Sequence, residues 1–287
     1  LNAIIVLNPD AVGTARALDA ERAATGARGP LHGVPILIKD NYDLAGLPTT
    51  NGSLAMADLM PTDDAFQVRR LREAGAVILG KTNLHEFARG ITTVSSIGGQ
   101  TLNPYDTSRN PGGSSGGTAA AVAASFAAAG MGSDTCGSIR IPSAHNSLVG
   151  LRGTSGLSSR DGVVPLSHTF DIAGPLARSV TDLALLLDAT VGSDPSDPVT
   201  AAADANIPGS YTTALDADAL RGARIGVLTM LVRQEPEDAP VARVIDEAVA
   251  DLRRLGAEVE AVEIEGLAEL LDSYVVLSHE FKFDLNA

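Results

Sequence analysis

The chain reads as an α/β protein, a mixed or parallel sheet with covering helices, and three stretches carry that reading. The run VPILIK at 34–39 has the length and branched apolar content of a buried strand. A helix-periodic segment that opens at 61–64 leads into a second apolar run at 76–79, making a strand–helix–strand unit. The same order returns at 225–264, and repeated strand–helix–strand order favours parallel pairing with helices laid over the sheet.

Taken in order, residues 8–24 predict a helix that Asn8 or Asp10 can cap, with Ala11, Ala15 and Leu18 at helical spacing. Residues 33–39 predict the first buried strand. At PTDD, 61–64, Thr62 is the expected N-cap, and Asp63 and Asp64 suit the positive end of the helix dipole. That helix turns Val68, Leu71 and Ala74 inward, and Gly75 ends it before the strand at 76–79. Residues 118–129 are so dense in alanine that they predict one central helix in close contact with its neighbours. Ser179 is the expected cap of a helix over 180–189. The Gly-, Ser- and Pro-rich segment 192–198 is a loop, and 201–218 a surface excursion. Residues 225–229 and 257–264 predict strands around a helix at 239–255, whose inward stripe is Val241, Ile245, Ala248, Leu252 and Leu255.

With 45% hydrophobic and 20% charged residues over 287 positions, the composition is that of a soluble globular protein. Its formal net charge of −14, without a basic run, repels phosphate backbones and argues against direct nucleic-acid binding. No apolar run approaches the ~18 residues of a membrane span; the nearest, 118–130, is short and alanine-rich. The single cysteine, Cys136, excludes an internal disulfide framework and leaves the compartment open, with a cytoplasmic location favoured.

The chemistry concentrates in residues 111–140, PGGSSGGTAAAVAASFAAAGMGSDTCGSIR, where Ser114 and Ser138 sit in glycine-rich turns. Glycine lets backbone N–H groups crowd a reacting atom, so a serine in such a turn can be a nucleophile whose own loop holds the oxyanion. Upstream, Lys39 ends the apolar run, and a lysine buried there can lose its charge and act as a base. Each residue also has a plainer reading. Turn serines commonly make local backbone bonds, GGSSGG can be a flexible linker, and Lys39 can pair with Asp40 or Asp43. A phosphate loop is disfavoured, because Gly117 is followed by Thr118 and Ala119 where Lys and Ser or Thr are needed. His32, His85, His145, His168 and His279 lack metal-ligand spacing, so no metal or other cofactor is expected. No G-x-S-x-G elbow surrounds either serine.

Three segments in fixed order resemble the amidase signature family of serine hydrolases: LHGVPILIKDN at 31–41, GGSSGG at 112–117, and SDTCGSIR at 133–140 with its serine 24 positions after Ser114. AGAVILGKTN at 74–83 and DIAGP at 171–175 are similar to further landmarks of that family. The resemblance runs from residue 1 to about 190 and more loosely beyond. It implies a mixed, largely parallel central sheet covered by helices on both faces. It further implies one amidase signature domain over 1–287, incomplete at both ends, with a catalytic core at about 30–190 and a further βαβ unit at about 221–265.

The resemblance assigns Ser138 as nucleophile, Ser114 as proton relay behind a cis peptide bond after Gly113, and Lys39 as the neutral base. The backbone of Thr135, Cys136, Gly137 and Ser138 would form the oxyanion hole, with Gly113, Ser115, Asp134 and Arg140 in support. The implied reaction is hydrolysis of a carboxamide C–N bond through a serine acyl-enzyme, giving an acid plus ammonia or an amine. A small-molecule or peptide amide is the expected substrate, and a homodimer one expected assembly. Alternatives are the amidase subunit of a tRNA-dependent amidotransferase, which cuts glutamine and passes on ammonia, and a non-catalytic or incomplete scaffold. SSRDGVVP at 158–165 reads more like the free amidases than the amidotransferase chain. Cys136 and Ser147 stand where the family often has glycine, and Arg152-Gly153-Thr154 replaces its frequent Lys-Pro-Thr. Specificity is expected in loops such as 47–61.

Overall fold

The computed structural model describes residues 1–232, 235–272 and 276–286, and divides into two compact units, Leu1–Thr212 with Val276–Ala287, and Thr213–Val275. The larger unit begins with β1 (Ile4–Leu7), α1 (Ala11–Thr25), β2 (Pro35–Lys39), α2 (Phe66–Glu73) and β3 (Val77–Thr82). A small hairpin follows, β4 (Val94–Ser95) and β5 (Gly99–Gln100), and then α3 (Gly116–Ala123), β6 (Ala129–Asp134), α4 (Arg140–His145) and β7 (Val149–Gly150). After β8 (Ile172–Ala177) come α5 (Val180–Thr190) and α6 (Ala203–Asn206). The smaller unit holds β9 (Arg224–Leu228), α7 (Ala239–Arg254), β10 (Glu258–Val262) and α8 (Leu267–Asp272), and α9 (Val276–Asp284) returns to the larger one.

The main sheet has the order β1-β3-β2-β6-β8-β7. Its centre is parallel, β3 with β2 and β2 with β6, while β1 and β8 run the opposite way and β7 pairs antiparallel with β8. This is the mixed α/β architecture that the sequence predicts. One face of the sheet presents Ile36, Ile38, Ile78, Ala129 and Met131 to Val68 and Leu71 of α2 and to Leu183 and Leu186 of α5. The other face packs Leu37 against Ala120 and Ala121 of α3. Side chains alternate along a strand, so Lys39 shares the face of Leu37 and stands under α3.

Several boundaries correct the sequence expectations. The alanine-rich stretch is not one helix over 118–129: α3 stops at Ala123, Ser125 takes a left-handed φ of 60°, and the chain returns as strand β6. Thr62 does not cap α2, which begins after Ala65; Asp64 instead accepts from Ala45 N–H at 2.9 Å and pairs with Arg72 at 2.8 Å. Asp10 occupies the N-cap of α1 without a side-chain capping bond. Ser179 does cap α5, accepting from Asp182 N–H.

In the smaller unit β9 and β10 pair in parallel across α7, forming a sheet of their own. The inward stripe of α7 is turned about one position from the predicted one. Ala242, Ile245, Val249 and Leu252 are half-buried, whereas Val241, Ala248 and Leu255 are exposed. Among the described residues no helix is long and apolar enough to cross a membrane.

Candidate active site

Parallel pairing brings the carboxyl ends of β2, β3 and β6 to one edge of the sheet, the place where open α/β sheets carry their sites. Lys39 is the last residue of β2, and the turn with Ser138 follows β6 directly. The 110–115 loop reaches the same edge from the hairpin side. It is held by Asn110 Oδ1, which accepts from Gly112 N–H at 2.9 Å, by Asn146 Nδ2, which donates to Pro111 O at 2.7 Å, and by Thr93 Oγ1, which donates to Gly112 O at 2.7 Å. The Gly113–Ser114 peptide bond is cis. His85 N–H donates to Ser114 O at 3.0 Å, and Ser115 N–H to Ser138 O at 3.1 Å, so the two serine turns are joined through backbone.

The loop's glycines are required by close approach. A Cβ on Gly113 would lie 2.8 Å from the Ile91 carbonyl carbon, and one on Gly117 would run into the backbone of Asn83. Ser115 precedes α3 but does not cap it; its hydroxyl donates to Ser133 O at 3.2 Å and accepts from Ser133 N–H at 3.3 Å.

Lys39 and Ser114 are fully buried, and Ser138 is 8% exposed. Lys39 Nζ lies 2.7 Å from Ser114 Oγ, 2.8 Å from Ser133 Oγ and 3.4 Å from Ser133 O. Asn41 Nδ2 donates to the same Ser133 hydroxyl at 3.0 Å. The alternative pairing of Lys39 with Asp40 does not form, because Asp40 pairs with Lys81. Burial pushes the Lys39 amine down to about 7, against the opposing pull of the Asp171 and Asp134 carboxylates.

The Ser138 turn is organised around Asp134. Its carboxylate accepts from Gly137 N–H at 2.7 Å, Ile139 N–H at 3.1 Å and Arg140 N–H at 3.3 Å, and pairs with the Arg140 guanidinium at 3.0 Å. Burial raises the Asp134 carboxyl, but the hydrogen bonds from Arg140, Ile139 and Gly137 outweigh it and hold it below the ordinary carboxylate range. Gly137 therefore corrects one expectation: its N–H is committed to Asp134 and does not serve an oxyanion. What the position demands is its φ of 137°, and a Cβ there would also meet Ile141. Cys136 is exposed and keeps out of left-handed backbone.

Sequence reasoning named Lys39, Ser114, Ser115, Asp134, Arg140 and Ser138, and the fold brings them to one edge of the sheet. It missed Ser133, which accepts from the lysine, and Asn41, which donates to the Ser133 hydroxyl. It also missed Arg152, whose guanidinium donates to Asp134 O and, at 2.9 Å, to Phe170 O. Asp171 was passed over as well; it accepts from Thr135 Oγ1 at 2.5 Å and from Leu166 and Ser167 N–H at 2.7 and 3.0 Å. Its place at the head of DIAGP was the available signal. Among the described residues no group of three or more His, Cys, Asp or Glu is placed to hold a metal ion.

The family model for amidases matches residues 1–286. This chain belongs to the amidase family. It is 42% identical over 279 residues to a glutamyl-tRNA(Gln) amidotransferase subunit of Gloeobacter violaceus, covering 97% of this chain and 56% of that protein. Among solved structures, the native peptide amidase of Stenotrophomonas maltophilia superposes with a TM-score of 0.91 at 47% identity, covering 99% of this chain and 59% of that one. The corresponding glutamyl-tRNA(Gln) amidotransferase subunit of Thermotoga maritima gives 0.80 at 35% identity, with 89% and 54% covered. This amidase chain thus spans little more than half the length of those relatives.

Proposed function

We propose that this amidase hydrolyses a carboxamide through an acyl-enzyme on Ser138, with Ser114 and Lys39 as its proton path. The observation that carries the reading is the buried Lys39 amine 2.7 Å from Ser114 Oγ, with its pKa near 7. At that pKa a large share of the lysine is neutral at physiological pH and can take a proton. Ser114 gives its proton to Lys39 and takes one from Ser138 as the Ser138 oxygen attacks the amide carbon. In this reading the backbone N–H groups of Thr135, Cys136 and Ser138 would hold the developing oxyanion, an arrangement whose single donors are typically worth ~10²–10³ in rate. As the C–N bond breaks, the proton returns through Ser114 to the leaving nitrogen. Water then attacks the ester by the same path and releases the acid, with Ser138 regenerated.

The similarity to a peptide amidase at 47% identity supports a peptide amide as substrate. Release of ammonia from a peptide carboxamide by the purified protein, lost in Ser138→Ala, is the direct test; equal release by both proteins sinks the reading. The 42% identity to an amidotransferase subunit favours a second reading, in which the chain is the glutaminase part of a larger assembly. Ammonia release from glutamine only when partner chains are added would select it. A homodimer remains the proposed assembly for the free amidase, and sedimentation tests it.

A further inference from the structure

We propose that α9 is a strap that fixes both serine turns from behind, with Glu280 as its positioning residue. The inference rests on the reading of Lys39, Ser114 and Ser138 as the reacting groups. Glu280 lies more than a hundred positions after the site's motifs, yet its carboxylate accepts from Ser167 Oγ at 2.5 Å and from Thr169 Oγ1 at 2.5 Å. One helical turn on, Asp284 accepts from His168 N–H at 2.8 Å. Three successive residues of one turn are therefore pinned by two carboxylates on one face of α9.

That turn is the cradle of Asp171. Leu166 and Ser167 donate their N–H groups to one Asp171 oxygen, and the other oxygen accepts from Thr135 Oγ1 beside the nucleophile. A continuous path of hydrogen bonds thus runs from Glu280 through Ser167 and Asp171 to Thr135. Glu280, Ser167 and Asp171 touch no reacting atom in the proposed reaction, so the path holds in place the loop whose Thr135 N–H that reading assigns to the oxyanion, and does no chemistry itself.

The apolar face of the same helix reaches the other serine. Leu277 and Phe281 pack against Leu84, Ala88 and Leu166. Phe281 stands edge-on to Phe87 at 6.2 Å between ring centroids, and the Arg89 guanidinium lies 5.3 Å over the Phe281 ring. Phe87 and Ala88 hold left-handed φ values of 56° and 55°, which bulky side chains keep only where packing enforces them. This strained turn carries His85, whose N–H holds Ser114 O. One helix accordingly fixes the acceptor of Thr135 and the donor to Ser114, two groups from separate parts of the chain.

Amide hydrogen exchange and steady-state kinetics on Glu280→Ala and Thr169→Val, compared with the unaltered protein, test the strap. In Glu280→Ala, exchange within residues 133–140 should quicken by about tenfold or more, as expected when a local opening becomes easier. kcat should fall roughly tenfold to a hundredfold with KM within about twofold, since a displaced loop mispositions reacting groups without removing substrate contacts. Thr169→Val, which deletes one of the two carboxylate bonds, should give a smaller change in the same direction and serves if Glu280→Ala does not fold. Unchanged exchange at 133–140 in both variants overturns the proposal whatever the activity. An unaltered protein without amidase activity counts against the proposed reaction instead, and the exchange data still decide whether α9 holds the loop.

Discussion

Asp40 and Lys81 form an ion pair of 3.0 Å with both side chains sealed from solvent, one residue along from Lys39. Lys81 also donates to Thr49 Oγ1 at 3.0 Å and to Pro48 O at 3.1 Å. The pair consumes the carboxylate nearest in sequence to Lys39. Lys39 is left with hydroxyl and carbonyl partners, while burial lowers both lysines and Asp40 opposes that shift only at Lys81.

Removing one member of the pair should therefore be costly. Lys81→Met leaves the Asp40 carboxylate buried without its cation, and such losses run to about 3–5 kcal/mol. Replacing both, as in Asp40→Asn with Lys81→Met, should recover more than half of that loss. Urea unfolding measures both. A single-variant loss below about 1 kcal/mol would show that the pair does not act as a buried unit.

The Lys39 shift also makes a statement about stability against pH. Its folded value near 7 lies below the ordinary 10.5, so between those limits the unfolded chain holds a proton that the folded chain lacks. Stability from this group then rises as pH climbs from about 7 toward 10.5, and below 7 its full penalty applies. Lys39→Met should be the more stable protein at pH 6, by an amount on the order of a few kcal/mol at ~1.4 kcal/mol per unit. The gap should narrow as pH increases. Unfolding free energies measured from pH 6 to 10 check this, and a gap that widens with pH contradicts it.

Within the proposed triad, the three side chains should fail differently. Ser138→Ala should form no covalent adduct with a fluorophosphonate. Ser114→Ala keeps the nucleophile but cuts the proton path, so its rate should drop ~10²–10⁴-fold with trace activity retained. Lys39→Ala should be hit hardest near neutral pH, and the unaltered protein's rate should rise through an ionisation near 7. Mass spectrometry locates the adduct; finding it on Ser114 or Cys136 would reassign the nucleophile.

Ser147 offers a stabilising change. It follows the end of α4 with a left-handed φ of 52°, and Leu148 N–H closes back on Ser143 O at 2.9 Å, the pattern in which helices commonly end on glycine. The side chain is exposed. Ser147→Gly should raise stability by roughly 0.5–1 kcal/mol. Thermal unfolding reads the change, and a drop would mean that a contact of the serine hydroxyl outweighs the backbone strain.

The proposed site residues were named because three motifs, far apart in the chain but in fixed order and spacing, resemble a known family. Lys39 ends an apolar run, and Ser114 and Ser138 sit in glycine turns whose backbone needs are written locally. The groups that hold them were not. Ser133, Arg152, Asp171 and Glu280 find their partners through the sheet or across the chain, and a lone polar residue carries no local trace of such a partner. The fold follows the same rule. Branched runs marked β2 and β3, but β6, AGMGSD, has no branched residue and is a strand because β2 and β8 flank it. Its alanine-rich approach looked helical for the same reason that α3 is helical, since alanine favours a helix wherever no neighbour decides otherwise.

The contact between α3 and β6 is built from atoms that leave no room. A Cβ on Gly132 would stand 2.7 Å from Ser115 Oγ, one on Gly130 would strike the Thr118 methyl, and Thr118 Oγ1 is already 2.6 Å from Thr82 Oγ1. Such a seam has no mutational headroom, since a single added methyl has nowhere to go. The 47–61 segment is built differently, with Leu54, Leu59 and Met60 standing in solvent where an added or lost methyl meets no such wall. The seam that carries the two serine turns is thereby closed to the variation that an exposed loop of this chain can absorb.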